Sequence, residues 1–197
     1  MAPPPALERR EAVAALLAGR GDALVVTGLG SPTWDVAATS ESPLNFYLWG
    51  AMGGAAMVGL GLALAQPSRR VIVITGDGEL LMGLGSLATI AAARPANLAI
   101  AVLDNEHYGE TGMQASHTAC GVDLAGMAAA AGFPSTLTLT SASQLSHWLP
   151  VLQSGSGPVL GVIKVAATQP PLTVPARDGT YIKNRFREAL LGPKAVL

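Results

Sequence analysis

Two apolar runs constrain this chain more than any other feature. "VIVITG" (71–76) and "LAIAVLDN" (98–105) are almost unbroken in aliphatic residues, and each stops abruptly in small and acidic ones, "TGDGE" and "LDNEHYGETG". A strand with one wet face alternates apolar and polar residues. An unbroken run belongs to a strand covered on both faces, as in the middle of a parallel sheet. "ALVVTG" (23–28), "STLTL" (135–139) and "VLGVIKV" (159–165) are further strand candidates. Helix candidates lie near 50–65, 79–93, 122–131 and 141–153, and another near 180–190 follows the proline-rich link "ATQPPLTVP". Strands alternating with helices predict an α/β fold, a parallel sheet with helices on both faces. No repeat or linker divides the chain. The reading is one domain over 1–197, with an N-terminal lead-in and amphipathic helix over 1–20 and a C-terminal extension over 166–197.

Composition narrows the function classes. Half the residues are apolar, 13% are charged and the net charge is −1, with no Lys/Arg cluster before the small C-terminal one in "KNRFRE". This argues against nucleic-acid binding by phosphate neutralisation. So little charge on so apolar a chain predicts that another chain covers part of its surface. The lone Cys120 excludes an internal disulfide and a multi-cysteine zinc or iron–sulfur centre, and it is read as a small core thiol. The start "MAPPPALERREAVAALLAGRGD" breaks its apolar run with charges, unlike a secretory leader, so a cytoplasmic location is expected. Ser42 to Ser68 carry no charge, and "LWGAMGGAAMVGLGLALA" has the length and GxxxG-like spacing of a membrane span. Its bulk is Gly and Ala rather than Leu, Ile and Val. It is therefore read as a buried helix with a close backbone approach, without a membrane partner.

In open parallel sheets, ligands bind beyond the carboxyl ends of the strands. Those ends read "TGLGS" (27–31), "TGDGE" (75–79) and "LDNEHYGETG" (103–112). A dinucleotide fingerprint fails at both glycine turns: Leu81 stands where Gly76 would need its third glycine, and Thr33 where Gly28 would. No G-K-[ST] is present either. What remains is Asp77 between Gly76 and Gly78, at the opening of a helix whose first N–H groups suit phosphate oxygens. Asp77 would repel phosphate unless a hard cation such as Mg²⁺ lay between them. Asn105, 28 positions on, offers an amide oxygen, and the His107 carbonyl offers a third donor.

"GDG", an apolar helix, a strand and "DN", with "GAMGGAAMVGLGLALA" upstream, resemble the metal–diphosphate motif of thiamine-diphosphate enzymes, over about residues 20–170. "LDNEHYGETGMQASHT" and "IKNRF" are most similar to the sulfopyruvate and phosphonopyruvate decarboxylases. The resemblance implies thiamine diphosphate and Mg²⁺ as cofactors, with Asp77, Asn105 and the His107 carbonyl on the metal. It implies that Gly76, Gly78 and Glu79 approach the diphosphate through the backbone. Gly28, Gly30 and Ser31 of the "TGLGS" turn contact it from the other side, and Tyr108 and Gly109 lie at the cofactor. Met52 falls where the family wedges the cofactor into its bent form, and the Gly50 carbonyl where it accepts from the 4′-amino group. The cofactor supplies the electron sink for loss of CO₂ from a 2-oxo acid. The family's catalytic glutamate belongs to a separate pyrimidine-type domain, for which this chain has no second α/β unit. The expectation is a hetero-oligomer in which a pyrimidine-domain partner subunit supplies that glutamate and the substrate is a small, anionic 2-oxo acid.

Other residues carry competing readings. His107 and His117 are candidate catalytic proton donors suited to neutral pH, or exposed loop histidines without a role. Asp104 is read as a strand-end cap rather than a ligand, and His147 as structural. Lys183, Arg185 and Arg187 either pair with an anionic substrate tail or form a solvated face beside Glu188. The alternatives for the chain are a non-catalytic or regulatory cofactor-binding partner, or a subunit of another thiamine-diphosphate lyase, synthase or oxidoreductase. Lack of cysteines disfavours the oxidoreductase.

Overall fold

In the computed structural model, which describes residues 7–196, the predicted strands appear as β1 (Leu24–Thr27), β3 (Val71–Gly76), β4 (Leu98–Asp104), β7 (Ser135–Leu139) and β8 (Val159–Lys164). With a short β2 (Asn45–Tyr47) they form a wholly parallel sheet in the order β2–β1–β3–β4–β8–β7. A separate antiparallel ribbon, β5 (His107–Tyr108) and β6 (Gln114–Ala115), follows β4. The proline-rich lead-in falls largely in residues 1–6, outside the described residues.

The helices are α1 (Arg9–Leu17), α2 (Ser31–Thr39), α3 (Ala55–Ala65), α4 (Asp77–Met82), α5 (Ser86–Ala93), α6 (Leu124–Ala131), α7 (Ala142–Ser154) and α8 (Gly179–Leu191). Alternate strand residues feed two cores, which explains the unbroken apolar runs. Val71, Val73, Leu98 and Ile100 pack with α3, α5 and α6. Ile72, Ile74, Ala99 and Ala101 pack with α1 and α7 on the other face. The α/β expectation, a parallel sheet with helices on both faces, is met.

The boundaries differ in instructive ways. The uncharged 42–68 stretch is not one helix: β2 and a glycine turn precede α3, whose start at Ala55 is delayed because Gly50 and Gly53 have φ of 75° and 88°. The close approach read there is present, since a Cβ on Gly59 would lie 2.3 Å from the Val73 side chain. Among the described residues no helix is long and apolar enough to cross a membrane. The 79–93 helix begins earlier, at Asp77, and breaks around Gly83 and Gly85 into α4 and α5. Neither α2 nor β2 is expected from the sequence.

Cys120 corrects an expectation. It is exposed rather than a core thiol, because it ends a 3₁₀ turn, His117–Cys120, on the loop surface. Two of the three basic residues of α8 find partners within the chain. Arg185 donates to Glu41 (2.6 Å) and to the Asn45 carbonyl (3.1 Å), and Arg187 donates to the Ala195 carbonyl (2.8 Å). These bonds tie α8 to β2 and to the following turn. Ile182 packs into one core and Phe186 into the other, so α8 straddles the β2 edge.

Candidate functional site

β3 and β4 run in register from Val71 opposite Leu98 to Gly76 opposite Leu103, so Asp77 and Asn105 emerge side by side at the carboxyl end of the sheet. Both line one cleft, together with Ser31, Met52, Gly76, Gly78, Glu79, His107, Tyr108 and Gly109. Gly28, Gly30, Gly50 and His117 do not line it. His117 stands outside, its Nδ1 3.2 Å from the Tyr108 hydroxyl. Gly30 caps α2 at φ 82° beneath Glu110, which accepts from Trp34 Nε1 at 3.1 Å.

Asp77 is 2% exposed. Its Oδ2 receives the Ser116 hydroxyl and lies 3.1 Å from Thr118 Oγ1, which is also 2.8 Å from Asp104 Oδ1. One hydroxyl proton serves only one of the two carboxylates. Asp104 has Lys164 Nζ at 2.9 Å, whereas Asp77 makes no ion pair among the described residues. Burial accordingly pushes the Asp77 carboxyl above its ordinary range, the Ser116 hydrogen bond opposing it in part. Asp104 also accepts from the Glu106 N–H (3.0 Å), as a strand-end cap does.

A buried carboxylate without an ion-pair partner among the described residues, in a cleft whose lining arginine, Arg9, is already paired with Asp35, suits a cation. Among the described residues no three His, Cys, Asp or Glu side chains gather into a metal cluster, so the donors would be mixed oxygens. Asn105 Oδ1 accepts one hydrogen bond, from His107 N–H at 3.0 Å, and keeps a second lone pair. The His107 ring is held by its own turn. Nδ1 is 2.7 Å from the Asn105 carbonyl, which can only accept, so that nitrogen carries the proton.

The two glycines of the motif differ. A Cβ on Gly78 would lie 2.5 Å from the Tyr108 ring, so packing within the chain requires that glycine. A Cβ on Gly76 would approach only the Leu103 carbonyl, at 4.0 Å. Its bare backbone is left open to the cleft, as close approach of a ligand requires.

Sequence reasoning missed several groups. Ser116 and Thr118 are two hydroxyls in a loop full of polar residues, and nothing but their spacing about His117 distinguishes them. The Glu79 carboxylate is engaged within the chain, accepting from the backbone N–H groups of Gly53 and Ala55. Arg9 lines the cleft from α1, and both Arg9 and Arg10 pair with the buried Asp35 of α2.

The turn carrying Met52 is wedged against the break between α4 and α5. A Cβ on Gly83 would lie 2.1 Å from the Gly53 carbonyl oxygen, a backbone atom that cannot swing aside. Gly83→Ala is expected to lose about 2 kcal/mol by overpacking, whereas Gly61→Ala, which meets nothing within 4 Å in α3, should gain up to about 1 kcal/mol. Urea unfolding of the two variants checks both signs.

Residues 29–163 match the family described as thiamine pyrophosphate enzyme, C-terminal TPP binding domain. The sulfopyruvate decarboxylase subunit beta of Methanothermobacter thermautotrophicus is 46% identical over 127 residues, 64% of this chain and 68% of that protein. Its namesake from Methanococcus maripaludis is 34% identical over 184 residues, 93% of this chain and 98% of that one. The phosphonopyruvate decarboxylase of Streptomyces viridochromogenes is 38% identical over 88% of this chain, which spans only 44% of that protein. Two solved structures share the fold: benzoylformate decarboxylase from Polynucleobacter necessarius (TM-score 0.70, 18% identity) and 4-hydroxybenzoylformate decarboxylase from Rhodococcus jostii RHA1 (0.69, 21%). Each is matched over 84% of this chain and 34% of its own length. With that match over most of its length, and with its glycine-flanked Asp77 and strand-end Asn105 sharing one cleft, this chain belongs to the thiamine pyrophosphate enzyme family, of the TPP-binding-domain type.

Proposed function

We propose that this chain is the diphosphate- and Mg²⁺-binding subunit of a thiamine-diphosphate-dependent decarboxylase, acting on a small anionic 2-oxo acid of the sulfopyruvate or phosphonopyruvate kind. The observation that carries the reading is Asp77: a buried carboxylate without an ion-pair partner among the described residues, sharing one cleft with Asn105. Its support from relatives is the beta-subunit kinship over 98% of the Methanococcus maripaludis protein.

In this reading Asp77, Asn105 Oδ1 and the His107 carbonyl would hold Mg²⁺, the hard ion that such oxygens suit. The open backbone of Gly76 would lie against the diphosphate, and Met52 lines the same cleft. When bound, thiamine diphosphate supplies the electron sink for decarboxylation. The chain's own residues orient and desolvate. Ser116 and Thr118 fix the Asp77 carboxylate in place, and Tyr108, packed on Gly78, walls the cleft. His107, its Nδ1 proton engaged by the Asn105 carbonyl, keeps Nε2 free to accept a proton.

A pyrimidine-domain partner supplies the catalytic glutamate, so the active site forms between chains. The expected result is that the purified chain releases no CO₂ from sulfopyruvate or phosphonopyruvate with thiamine diphosphate and Mg²⁺, and that a co-expressed partner subunit restores release. Turnover by the chain alone would overturn the divided site. Turnover by the complex that is indifferent to Asp77→Asn would make this chain a non-catalytic partner.

A further inference from the structure

Glu79 stands in the first turn of α4, two residues beyond Asp77, yet its carboxylate is taken up by other parts of the chain. It is 4% exposed. Oε1 receives the backbone N–H groups of Gly53 (2.9 Å) and Ala55 (3.1 Å), and Oε2 receives the Thr75 hydroxyl. Ala55 is the first residue of α3, whose cap position is Gly54 and has no side chain with which to cap. The first N–H groups of a helix lack partners within it. Here a carboxylate from another helix takes the place of the missing cap, and negative charge suits a helix N-terminus.

A third segment closes on the same group. A Cβ on Gly28 would lie 2.8 Å from Thr75 Oγ1 and 3.3 Å from the Glu79 side chain, so the bare "TGLGS" turn is pressed onto this pair. One buried side chain therefore gathers three stretches far apart in sequence, 27–31, 50–54 and 75–79. The middle stretch most needs it. Gly50 and Gly53 both have positive φ, and the conformational freedom of glycine leaves such a turn poorly fixed by its own backbone. That turn carries Met52 into the cleft that Asp77 lines.

We propose that Glu79 is a positioning residue: its carboxylate locks the Gly50–Gly54 turn to the helix that presents Asp77, and so sets the distance between the Met52 lip and the metal–diphosphate end of the cleft. The inference rests on the function proposed above. Asp77 and Met52 then grip different parts of one cofactor, and loss of the lock weakens binding although Glu79 itself touches neither the metal nor the substrate.

The test pairs two measurements on the full chain, amide hydrogen exchange without ligand and, in complex with the partner subunit, calorimetric titration with thiamine diphosphate and Mg²⁺. In Glu79→Ala, exchange at Gly53 and Ala55 is expected to quicken about tenfold while β3 stays protected, and cofactor affinity to fall about tenfold. Glu79→Gln keeps an acceptor for the two N–H groups, and the Thr75 hydroxyl can turn to accept from its amide. Both readouts should return to within about threefold of the parent protein. If the alanine variant does not fold, Glu79→Asp, which draws the carboxylate back from the turn, carries the same expectation. Unchanged exchange in a folded Glu79→Ala or Glu79→Asp protein overturns the proposal. So does faster exchange with unchanged affinity, which would leave Glu79 a helix cap and nothing more. If the parent complex itself binds no thiamine diphosphate, the proposed function falls, and the exchange result alone decides whether Glu79 holds the turn.

Discussion

Asp77→Asn is expected to weaken Mg²⁺-dependent binding of thiamine diphosphate by at least about 100-fold, since changes merely beside a metal ligand already cost 10- to 100-fold. Stability of the ligand-free protein should stay level or rise. The amide has nearly the same shape, and the Ser116 and Thr118 hydroxyls can still donate to its oxygen. The substitution also removes a charge that burial disfavours. The opposite signs on binding and stability are the informative result. Calorimetry with and without Mg²⁺, beside a thermal melt of the ligand-free chain, gives both. Affinity unchanged by the substitution would remove Asp77 from the metal.

The second large effect lies away from the cleft floor. Asp35 is fully buried and takes Arg9 on one oxygen and Arg10, at 3.1 Å, on the other; the two arginines reach on to the Thr168 and Pro171 carbonyls. Asp35→Ala strands the Arg9 guanidinium, itself 5% exposed, in the interior. Removing one partner of a buried ion pair costs about 3–5 kcal/mol, which for a chain of this size lowers the melting temperature by about 10 °C. The loss should also loosen the 168–172 strap from α1. Asp22→Ala is the contrast. Its pair with Arg69 leaves Asp22 78% exposed, and such surface pairs contribute about 0–1 kcal/mol. Equal losses in the two variants would show that Asp35 is not holding a buried charge.

These cases mark what the sequence discloses. The central strands were legible because burial on both faces leaves an unbroken apolar run, and their carboxyl ends were legible as a site because parallel strands deliver those ends together. Asp77 and Asn105 could be paired on paper for that reason. β2 escaped notice because three residues, Asn45–Tyr47, give no period to detect. α2 escaped because its start, Ser31-Pro32-Thr33, reads as a turn until Gly30 is seen to cap it. Arg9 and Arg10 fall in the N-terminal amphipathic helix with no local sign of a buried partner, and only the packing of α1 against α2 brings Asp35 to them. Glu79 shows the limit most directly. Its place beside Gly78 suggested backbone contact with phosphate, but the partners of its carboxylate come from a glycine turn 24 to 26 residues away. No local pattern records such a partnership.

The sheet ends differently on its two sides. At one margin α8 lies over β2, with an arginine on the Asn45 carbonyl and a side chain sunk into each core. That strand has no free rim to offer. At the other margin β7 stands uncovered along "STLTL", with alternate hydroxyls and a short span that discourage the stacking of one molecule on the next. Growth by strand addition is thus shut on the first side and poorly supported on the second. In the two-subunit enzyme proposed above, helices and loops are then the surfaces left for a partner, among them the rim where the strands deliver Asp77 and Asn105.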